Sequence, residues 1–259
     1  MQGGGDGERV TRISRAYPDR VEVRGRDLAR DLMGRLSFTE YFHLLLTGHE
    51  PSEDERFFLD LLLVSIAEHG LMPSNVAARM TLAADPGSLQ GAVAAGILGA
   101  GPVILGSAEE CAQLLEAAQA RVVAGAAPAT VAAEVAAEIH ASGGKVPGFG
   151  HPLHRPVDPR AERIFELAAA RGTAGPHLAL ARCLADAVAD TWEQPLTLNV
   201  SLPIAAVLLD LGYPSWIVKA VPILARTAGL LAHLAEEHEQ PVGFLLASTA
   251  ERAVEYRDD

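Results

Sequence analysis

The residues best suited to chemistry lie in one segment, residues 145–160, which reads KVPGFGHPLHRPVDPR. The glycines on both sides of its phenylalanine let the backbone approach a ligand closely and present N–H donors. His151 follows them and can act as a general acid or donate a hydrogen bond to a developing alkoxide. Arg155 and Arg160 can bind a carboxylate or a phosphate. The segment therefore predicts a ligand-binding loop, and the alternative is a structural loop between helices with surface charges.

Helices must position this loop, because most of the chain carries helical signals. Ser37–Glu40 and Ser52–Glu55 are capping boxes that begin two helices. Apolar residues at i, i+4 and i+8 mark one face of another helix, from residue 131 to 139. Further helices are predicted over residues 88–98, 109–124, 160–171, 177–192, 203–211 and 214–238. Two short β-favouring runs within residues 8–24 surround a turn. The predicted fold is all-α, with a possible short N-terminal β-hairpin.

The composition excludes several classes of protein. The chain has 259 residues and a net charge of −12, which argues against nucleic acid or an anionic membrane as the main partner. Cys111 and Cys183 lie far apart, which predicts neither a disulfide framework nor a zinc spacing, and a cytoplasmic location is expected. The N-terminus lacks the pattern of a signal peptide. Residues 86–108 are uncharged, but their glycines and internal proline predict a packed helix and a loop, not a membrane span.

The segment 145–160 resembles the central signature of the citrate synthase superfamily, a G-[FY]-G-H followed by R and D-P-R. Blocks that resemble the family in the same order are residues 21–52, 68–79, 195–212 and 225–237. The resemblance runs from Arg20 to Pro241, and the short chain is closer to the small citryl-CoA lyase branch, which includes the lyase module of ATP-citrate lyase. The predicted domains are a polar N-terminal segment 1–19, a citrate synthase-like helical domain 20–245 without separable subdomains, and a C-terminal tail 246–259.

This resemblance implies a cleft for a CoA thioester and an oxo- or hydroxy-carboxylate, with metal-free chemistry through an enol or enolate. His69 falls on the histidine that holds the oxaloacetate or citrate moiety, and His151 on the histidine that polarises the ketone or tertiary hydroxyl. The predicted substrate-binding residues are Arg160 and Arg226, which fall on arginines that grip carboxylates, together with Arg155 and Asn199. The loop that receives the CoA adenine corresponds to Lys145, Val146, Pro147, Gly148, Phe149 and Gly150. No permanently bound cofactor is expected, since CoA is part of the substrate, and a homodimer is implied.

Structural interpretations stay open for some of these residues. His69 could cap its helix, and Arg226 could be a buried structural cation that needs a carboxylate partner. His151 and His154 form an HxxH pair without a third ligand nearby in sequence, so no metal site is predicted there. The histidines expected to be structural are His43, His49, His233 and His238.

Three positions depart from the family pattern. Leu105, with one residue inserted, stands where citrate synthases carry the histidine that enolises the acetyl thioester, and citryl-CoA lyases also lack that histidine. Ser201 replaces the aspartate of N-V-D, the carbon base or acid, and losing a positioned base costs about 10²–10⁴-fold in rate. Gln240 replaces the arginine that reaches a carboxylate across the dimer interface, which weakens the case for a tricarboxylate.

These features predict an enzyme whose catalytic residues are His151, His69 and Ser201. The predicted reaction cleaves citryl-CoA, or a related 3-hydroxyacyl-CoA, to acetyl-CoA and oxaloacetate or another oxo acid by a metal-free retro-Claisen/aldol-type step. One alternative is a citrate synthase-type condensing enzyme with an unusual acceptor, in which Asp158 or another carboxylate replaces the missing base. The other alternative is a homologue that binds CoA thioesters without turnover.

Overall fold

The structure is a computed structural model that describes residues 10–151, 154–192 and 196–258. The chain divides into two compact units, residues 1–60 and residues 61–259. Within the described residues, twelve α-helices and two π-helices accompany one small three-stranded sheet near the N-terminus. The predicted all-α fold with a short N-terminal hairpin is therefore confirmed.

The sheet of the first unit is antiparallel, in the order β1-β2-β3. Its strands are β1 (Ser14–Ala16), β2 (Val21–Val23) and β3 (Arg26–Asp27). Arg24 and Gly25 join β2 to β3, and both have a positive φ (50° and 79°), as a two-residue type I′ turn requires. This third strand was not predicted. The predicted boundary between residues 19 and 20 falls inside the β1–β2 turn, because residues 14–16 already pair with β2.

Three helices follow the sheet: a π-helix (Leu28–Leu32), α1 (Phe38–Thr47) and α2 (Glu53–Ala67), the last of which continues into the second unit. Two capping boxes begin α1 and α2, as predicted. The Ser37 hydroxyl accepts the Glu40 N–H at 3.3 Å, and the Glu40 carboxylate accepts the Ser37 N–H at 2.7 Å. Ser52 and Glu55 repeat the exchange at 3.2 and 2.7 Å. Gly48 ends α1 with a φ of 89°.

The second unit holds the remaining helices. They are α3 (Pro73–Ala84), α4 (Leu89–Leu98), a π-helix (Gly101–Gly106), α5 (Ser107–Val123), α6 (Pro128–Ala141), α7 (Pro159–Arg171), α8 (Pro176–Thr191), α9 (Ser201–Asp210), α10 (Ser215–Val218), α11 (Ala220–Glu239) and α12 (Gly243–Ala253). The helix predicted over 214–238 is interrupted at Lys219, and α9 begins at Ser201 rather than at residue 203. The predicted tail 246–259 begins inside α12.

Helix α9 is the centre of this unit. Every residue from Ser201 to Leu209 is buried, as expected for a helix that is apolar on all sides. It packs against α5, α7, α8 and α10, while α3 packs against α4, α11 and α12. Neighbouring elements can surround the start of a fully buried helix. Most of the predicted site residues lie around the start of α9.

The uncharged stretch 86–108 does not form one straight helix, because it contains α4, the π-helix Gly101–Gly106 and the first turn of α5. The segment Ser215–Glu239 has the length and apolar composition that could cross a membrane. Half of its most apolar stretch is buried within the protein. Core helices pass the same test of length and composition.

Candidate active site

A cavity of about 190 Å³ in the second unit collects most of the predicted site residues. It is lined by Ile66, His69, Met72, Ile104, Ser107, Gly150, His151, Arg160, Asn199, Val200, Ser201 and Arg226. These residues come from the end of α2, the start of α3, the π-helix and α5, the loop before α7, the start of α9, and α11. A wider depression of about 460 Å³ lies against the N-terminal strands and holds none of the predicted site residues.

The predicted CoA loop is anchored to the start of α9 by a short ladder of hydrogen bonds. The Gly150 N–H donates to the Thr197 carbonyl at 2.7 Å, and the Asn199 N–H donates to the Gly148 carbonyl at 2.8 Å. A side chain at Gly148 would place its Cβ 2.6 Å from Leu202 Cβ, and the residue has a φ of 83°. Gly148 is therefore required by its packing against α9, independently of any ligand.

Asn199 holds backbone on both sides. Its amide nitrogen donates to the Gly150 carbonyl at 3.0 Å, and its amide oxygen accepts the Ser201 N–H at 3.0 Å. The side chain predicted to bind substrate thus ties the loop to α9 while lining the cavity. Arg155 and Lys145 are exposed and do not line the cavity.

His151 is held so that one nitrogen keeps its proton. Its Nδ1 accepts the backbone N–H of His154 at 2.9 Å, so the neutral ring carries its proton on Nε2. That Nε2 lies 3.4 Å from Nη2 of Arg160. Burial, and next the neighbouring His154, lowers the pKa of His151, which keeps the ring neutral at pH 7. His151 is therefore equipped to donate a hydrogen bond to a ligand oxygen.

Asp158 is fully buried and positions Arg160. Its carboxylate caps α7 and accepts hydrogen bonds from Arg160 N and Nε, each at 3.0 Å, from Arg160 Nη2 at 2.8 Å and from the Val200 N–H at 3.2 Å. Burial alone would raise the pKa of Asp158, but its hydrogen bonds and ion pair with Arg160 lower it overall. The occupied oxygens of Asp158, and its absence from the described cavity lining, argue against the alternative in which Asp158 serves as a relocated base.

Two polar groups of the cavity are buried without hydrogen-bond partners among the described residues. Arg226 is 2% exposed, and its Nε and Nη1 are unpaired, as is Nε2 of His69. Burial lowers the pKa of His69, and the positive Arg160 acts in the same direction. Burial lowers the pKa of Arg226, although the negative charge of Glu68 acts in the opposite direction. A buried guanidinium whose N–H groups lack hydrogen-bond acceptors is costly, by about 3–5 kcal/mol when a buried pair is broken, so it points to an anionic ligand. No aspartate or glutamate is among the described residues that line the cavity.

The cavity lining also includes two hydroxyl groups, those of Ser107 and Ser201. Ser201 Oγ lies 2.7 Å from Ser107 Oγ. The π-helix Gly101–Gly106 accommodates an extra residue, as π-bulges do, and it directs Leu105 into the core at 3% exposure. Ile104 and Ser107 line the cavity instead. Sequence reasoning singled out Leu105 and missed Ser107, although the inserted residue was a signal that the register had shifted.

Three histidine rings meet at the rim of this site. The centroid of His69 lies 5.3 Å from those of His151 and His154, which are 4.4 Å apart. Nitrogen atoms of all three lie within 4.8 Å of one another, so a third candidate ligand does exist, remote in sequence. The adjacent guanidinium groups of Arg160 and Arg226 oppose a dication at this position.

Comparison with known proteins identifies the class. Residues 11–243 match the family described as citrate synthase, C-terminal domain, and the chain belongs to the citrate synthase family. A citrate synthase of Heyndrickxia coagulans is 32% identical over 214 residues, which are 79% of this chain and 53% of that protein. The chain thus spans about half the length of the curated relatives it matches.

Solved structures narrow the resemblance. The citryl-CoA lyase of Hydrogenobacter thermophilus superposes with a TM-score of 0.85 at 30% identity, over 96% of this chain and 94% of that chain. An ATP citrate lyase of Methanothrix soehngenii, solved in complex with citrate and coenzyme A, has a TM-score of 0.77 at 21% identity and shows the shared fold. It covers 92% of this chain but 40% of that chain. The predicted resemblance to the small lyase branch is confirmed.

Proposed function

We propose that this protein cleaves a carbon–carbon bond in citryl-CoA, or in a related 3-hydroxyacyl-CoA, to give acetyl-CoA and oxaloacetate or another oxo acid. The observation that carries the proposal is the composition of the cavity lining. Guanidinium and imidazole groups line the cavity, and where the resemblance implies a base for condensation the lining has Ser201 beside Ser107. The near full-length similarity to a citryl-CoA lyase supports the same direction.

The arginines and histidines of the cavity lining suit the acid portion of the substrate. Arg226 and Arg160 would bind its carboxylates, which pairs a guanidinium that is otherwise buried and unpaired. The Nε2–H of His151 would donate to the tertiary hydroxyl oxygen and stabilise the ketone oxygen that develops. Nε2 of His69, which has no partner among the described residues, is placed to accept the hydroxyl proton.

Cleavage then needs only one further proton. As the hydroxyl proton leaves, the electrons of the O–H bond form the carbonyl of the oxo acid, and the electrons of the broken carbon–carbon bond form the thioester enolate. The enolate carbon takes a proton relayed through Ser201 and Ser107, whose oxygens are 2.7 Å apart. The reverse reaction must remove a weakly acidic proton from the thioester methyl group, and a serine is not a base at neutral pH.

The thioester end of the substrate extends beyond this small cavity. We propose that the CoA adenine contacts the backbone of residues 145–150 next to the cavity, that the protein acts as a cytoplasmic homodimer, and that no metal takes part in the reaction. The described residues that line the cavity include no carboxylate, which also favours a second candidate, a homologue that binds CoA thioesters without turnover. A condensing enzyme is less well supported, because Asp158 is committed to Arg160.

Product analysis distinguishes the three functions. Citryl-CoA is incubated with the purified protein, and the CoA species are separated by chromatography against a buffer control, because the thioester also decays by itself. The proposal predicts acetyl-CoA and oxaloacetate in equal amounts. Free CoA with citrate would indicate the hydrolytic half-reaction of a condensing enzyme. Unchanged citryl-CoA, with acetyl-CoA binding by calorimetry, would indicate a binding protein, and either result would contradict the proposed function.

A further inference from the structure

A second cluster of metal-ligand side chains lies in the first unit, and none of its residues lines the cavity. His43 is on α1, His49 follows the end of that helix, and Glu55 is in the first turn of α2. The ring nitrogens and a carboxylate oxygen of these three residues all lie within 4.8 Å of one another. The sequence analysis treated both histidines as structural.

The distances in this cluster are close to those of a tetrahedral metal site. Nε2 of His43 lies 3.4 Å from Nδ1 of His49 and 4.0 Å from Oε1 of Glu55. The carbonyl oxygen of Glu50 lies 3.1 Å from the same Nδ1. Ligand atoms about 2.0–2.1 Å from a tetrahedral Zn²⁺ are roughly 3.3 Å apart, so the two histidine nitrogens already have a suitable separation and Glu55 would move closer to them.

The backbone around the cluster is held in place by its own hydrogen bonds. The Thr47 hydroxyl donates to the His43 carbonyl at 2.8 Å, and Gly48 ends α1 in the left-handed conformation. The Oε2 atom of Glu55 accepts the Ser52 N–H at 2.7 Å, which fixes the carboxylate with Oε1 toward His43. His43 is buried, at 1% exposure. Such preorganisation lowers the entropic cost of collecting ligands.

We propose that His43, His49 and Glu55 bind a Zn²⁺ ion, with the Glu50 carbonyl or a water molecule as the fourth ligand. Two imidazoles and one carboxylate are a donor set that zinc prefers. Acidic residues lie within the cluster's stretch of sequence: Glu50 follows His49, and Glu53 and Asp54 precede Glu55. The ion would fasten α1 to the first turn of α2, and the proposal is independent of the reaction at the cavity.

The test is Zn²⁺ uptake by the tag-free, chelator-treated full chain, measured by equilibrium dialysis and elemental analysis. Two variants remove single ligands: His49→Ala changes an exposed residue, and Glu55→Gln keeps a side chain that can still complete the capping box. Each is expected to take up one equivalent less than the unmodified chain, or to bind that equivalent at least ten-fold more weakly. His154→Ala is the matched control for the histidines of the cavity and is expected to keep this equivalent.

Two further measurements sharpen the test. Co²⁺ in place of Zn²⁺ is expected to give the visible absorption of a tetrahedral site, and Glu55→Gln is expected to lose it. Zn²⁺ is expected to raise the unfolding temperature of the unmodified chain and of His154→Ala, but not of His49→Ala. The proposal is overturned if the unmodified chain takes up no Zn²⁺, or if both ligand variants bind as much as it does.

Discussion

Two groups of residues that line the cavity differ in how closely they follow the pattern that the resemblance implies. His69, His151, Arg160 and Arg226 fall on the positions expected to hold an oxo- or hydroxy-acid, and the structure brings all four to one cavity. Where the resemblance implies a carboxylate, the chain has Ser201 beside Ser107, and Ile104 lines the cavity near the position expected for a histidine. The described lining thus offers groups that can bind a carboxylic acid, but no carboxylate that can remove a carbon-bound proton.

This difference separates two steps that a condensing enzyme must combine. Holding the acid and polarising its oxygen serve cleavage and condensation equally. Removing a proton from carbon serves condensation alone, because cleavage forms the enolate by breaking the carbon–carbon bond. A cavity that can hold and polarise the acid, but cannot remove a proton from carbon, is therefore suited to cleavage. Each of the following changes alters one of the two groups of lining residues.

The largest effect on the rate of cleavage is expected from His151→Ala, which removes the residue proposed to polarise the substrate oxygen. Removing an oxyanion-type donor costs about 10²–10³-fold in rate, and loss of a proton-transfer group costs a similar factor. We expect citryl-CoA cleavage to fall by about 10³-fold, while acetyl-CoA affinity, measured by calorimetry, falls less than ten-fold. The control is His238→Ala, an exposed histidine on α11. Retained cleavage would remove His151 from the account.

The next effect concerns Arg226, whose buried Nε and Nη1 atoms have no hydrogen-bond partner among the described residues. In Arg226→Met, loss of a charged hydrogen bond of about 1.5–3 kcal/mol is expected to weaken binding of the carboxylate substrate by about 10–10²-fold. The free energy of unfolding of the ligand-free protein is expected to stay the same or rise, because an uncompensated buried charge is removed.

Calorimetry with oxaloacetate and urea unfolding measure the two quantities, with the exposed Arg252→Met as control. A less stable protein with unchanged ligand affinity would mean that Arg226 is a structural cation.

A smaller effect, a gain in the rate of proton removal from acetyl-CoA, is expected from Ser201→Asp. A carboxylate at this position restores the family's base, and a positioned base is worth up to about 10²–10⁴-fold. We expect at least about ten-fold faster exchange of the acetyl-CoA methyl protons with D₂O, followed by mass spectrometry. Ser201→Asn has a similar shape without the charge and should leave the exchange slow. Equal exchange in both variants would mean that position 201 does not face the thioester.

The smallest effect is on the pH dependence of stability. Burial lowers the pKa values of His69 and His151, whereas in the unfolded chain both titrate near the usual value of about 6.5. Below that pH the unfolded state binds more protons, so the free energy of unfolding falls as the pH falls from 7 toward 5. Urea unfolding of His69→Asn/His151→Asn should give a flatter profile across that window. Parallel profiles would show that the two rings are not buried as neutral groups.

Much of the fold could be predicted because its signals are local. The capping boxes at Ser37 and Ser52 form as predicted, since each depends on residues three positions apart. The helix α12 was not predicted, and residues 246–259 were expected to be a C-terminal tail. In the structure the Val242 and Gly243 N–H groups instead donate to the Glu237 carboxylate, which begins a new helix.

The site could be predicted only where one segment carries its own pattern. The loop from residue 145 to 160 identified His151 and Arg160, but not that Asp158 serves Arg160, which depends on burial. Ser107 lies 94 positions from Ser201, and the π-helix decides that it, rather than Leu105, faces the cavity. A one-residue insertion changes which side chains of the following helix face the cavity. The sequence alone therefore did not indicate the partner of Ser201.

Whether this cavity cleaves citryl-CoA is tested by the rate of oxaloacetate release. Malate dehydrogenase and NADH report that release continuously, with the unmodified protein and His151→Ala assayed against buffer at equal concentration. We expect steady NADH oxidation that the unmodified protein sustains over many turnovers and that His151→Ala lowers to near the buffer rate. No release above buffer, from a protein that still binds acetyl-CoA, would contradict the proposed cleavage.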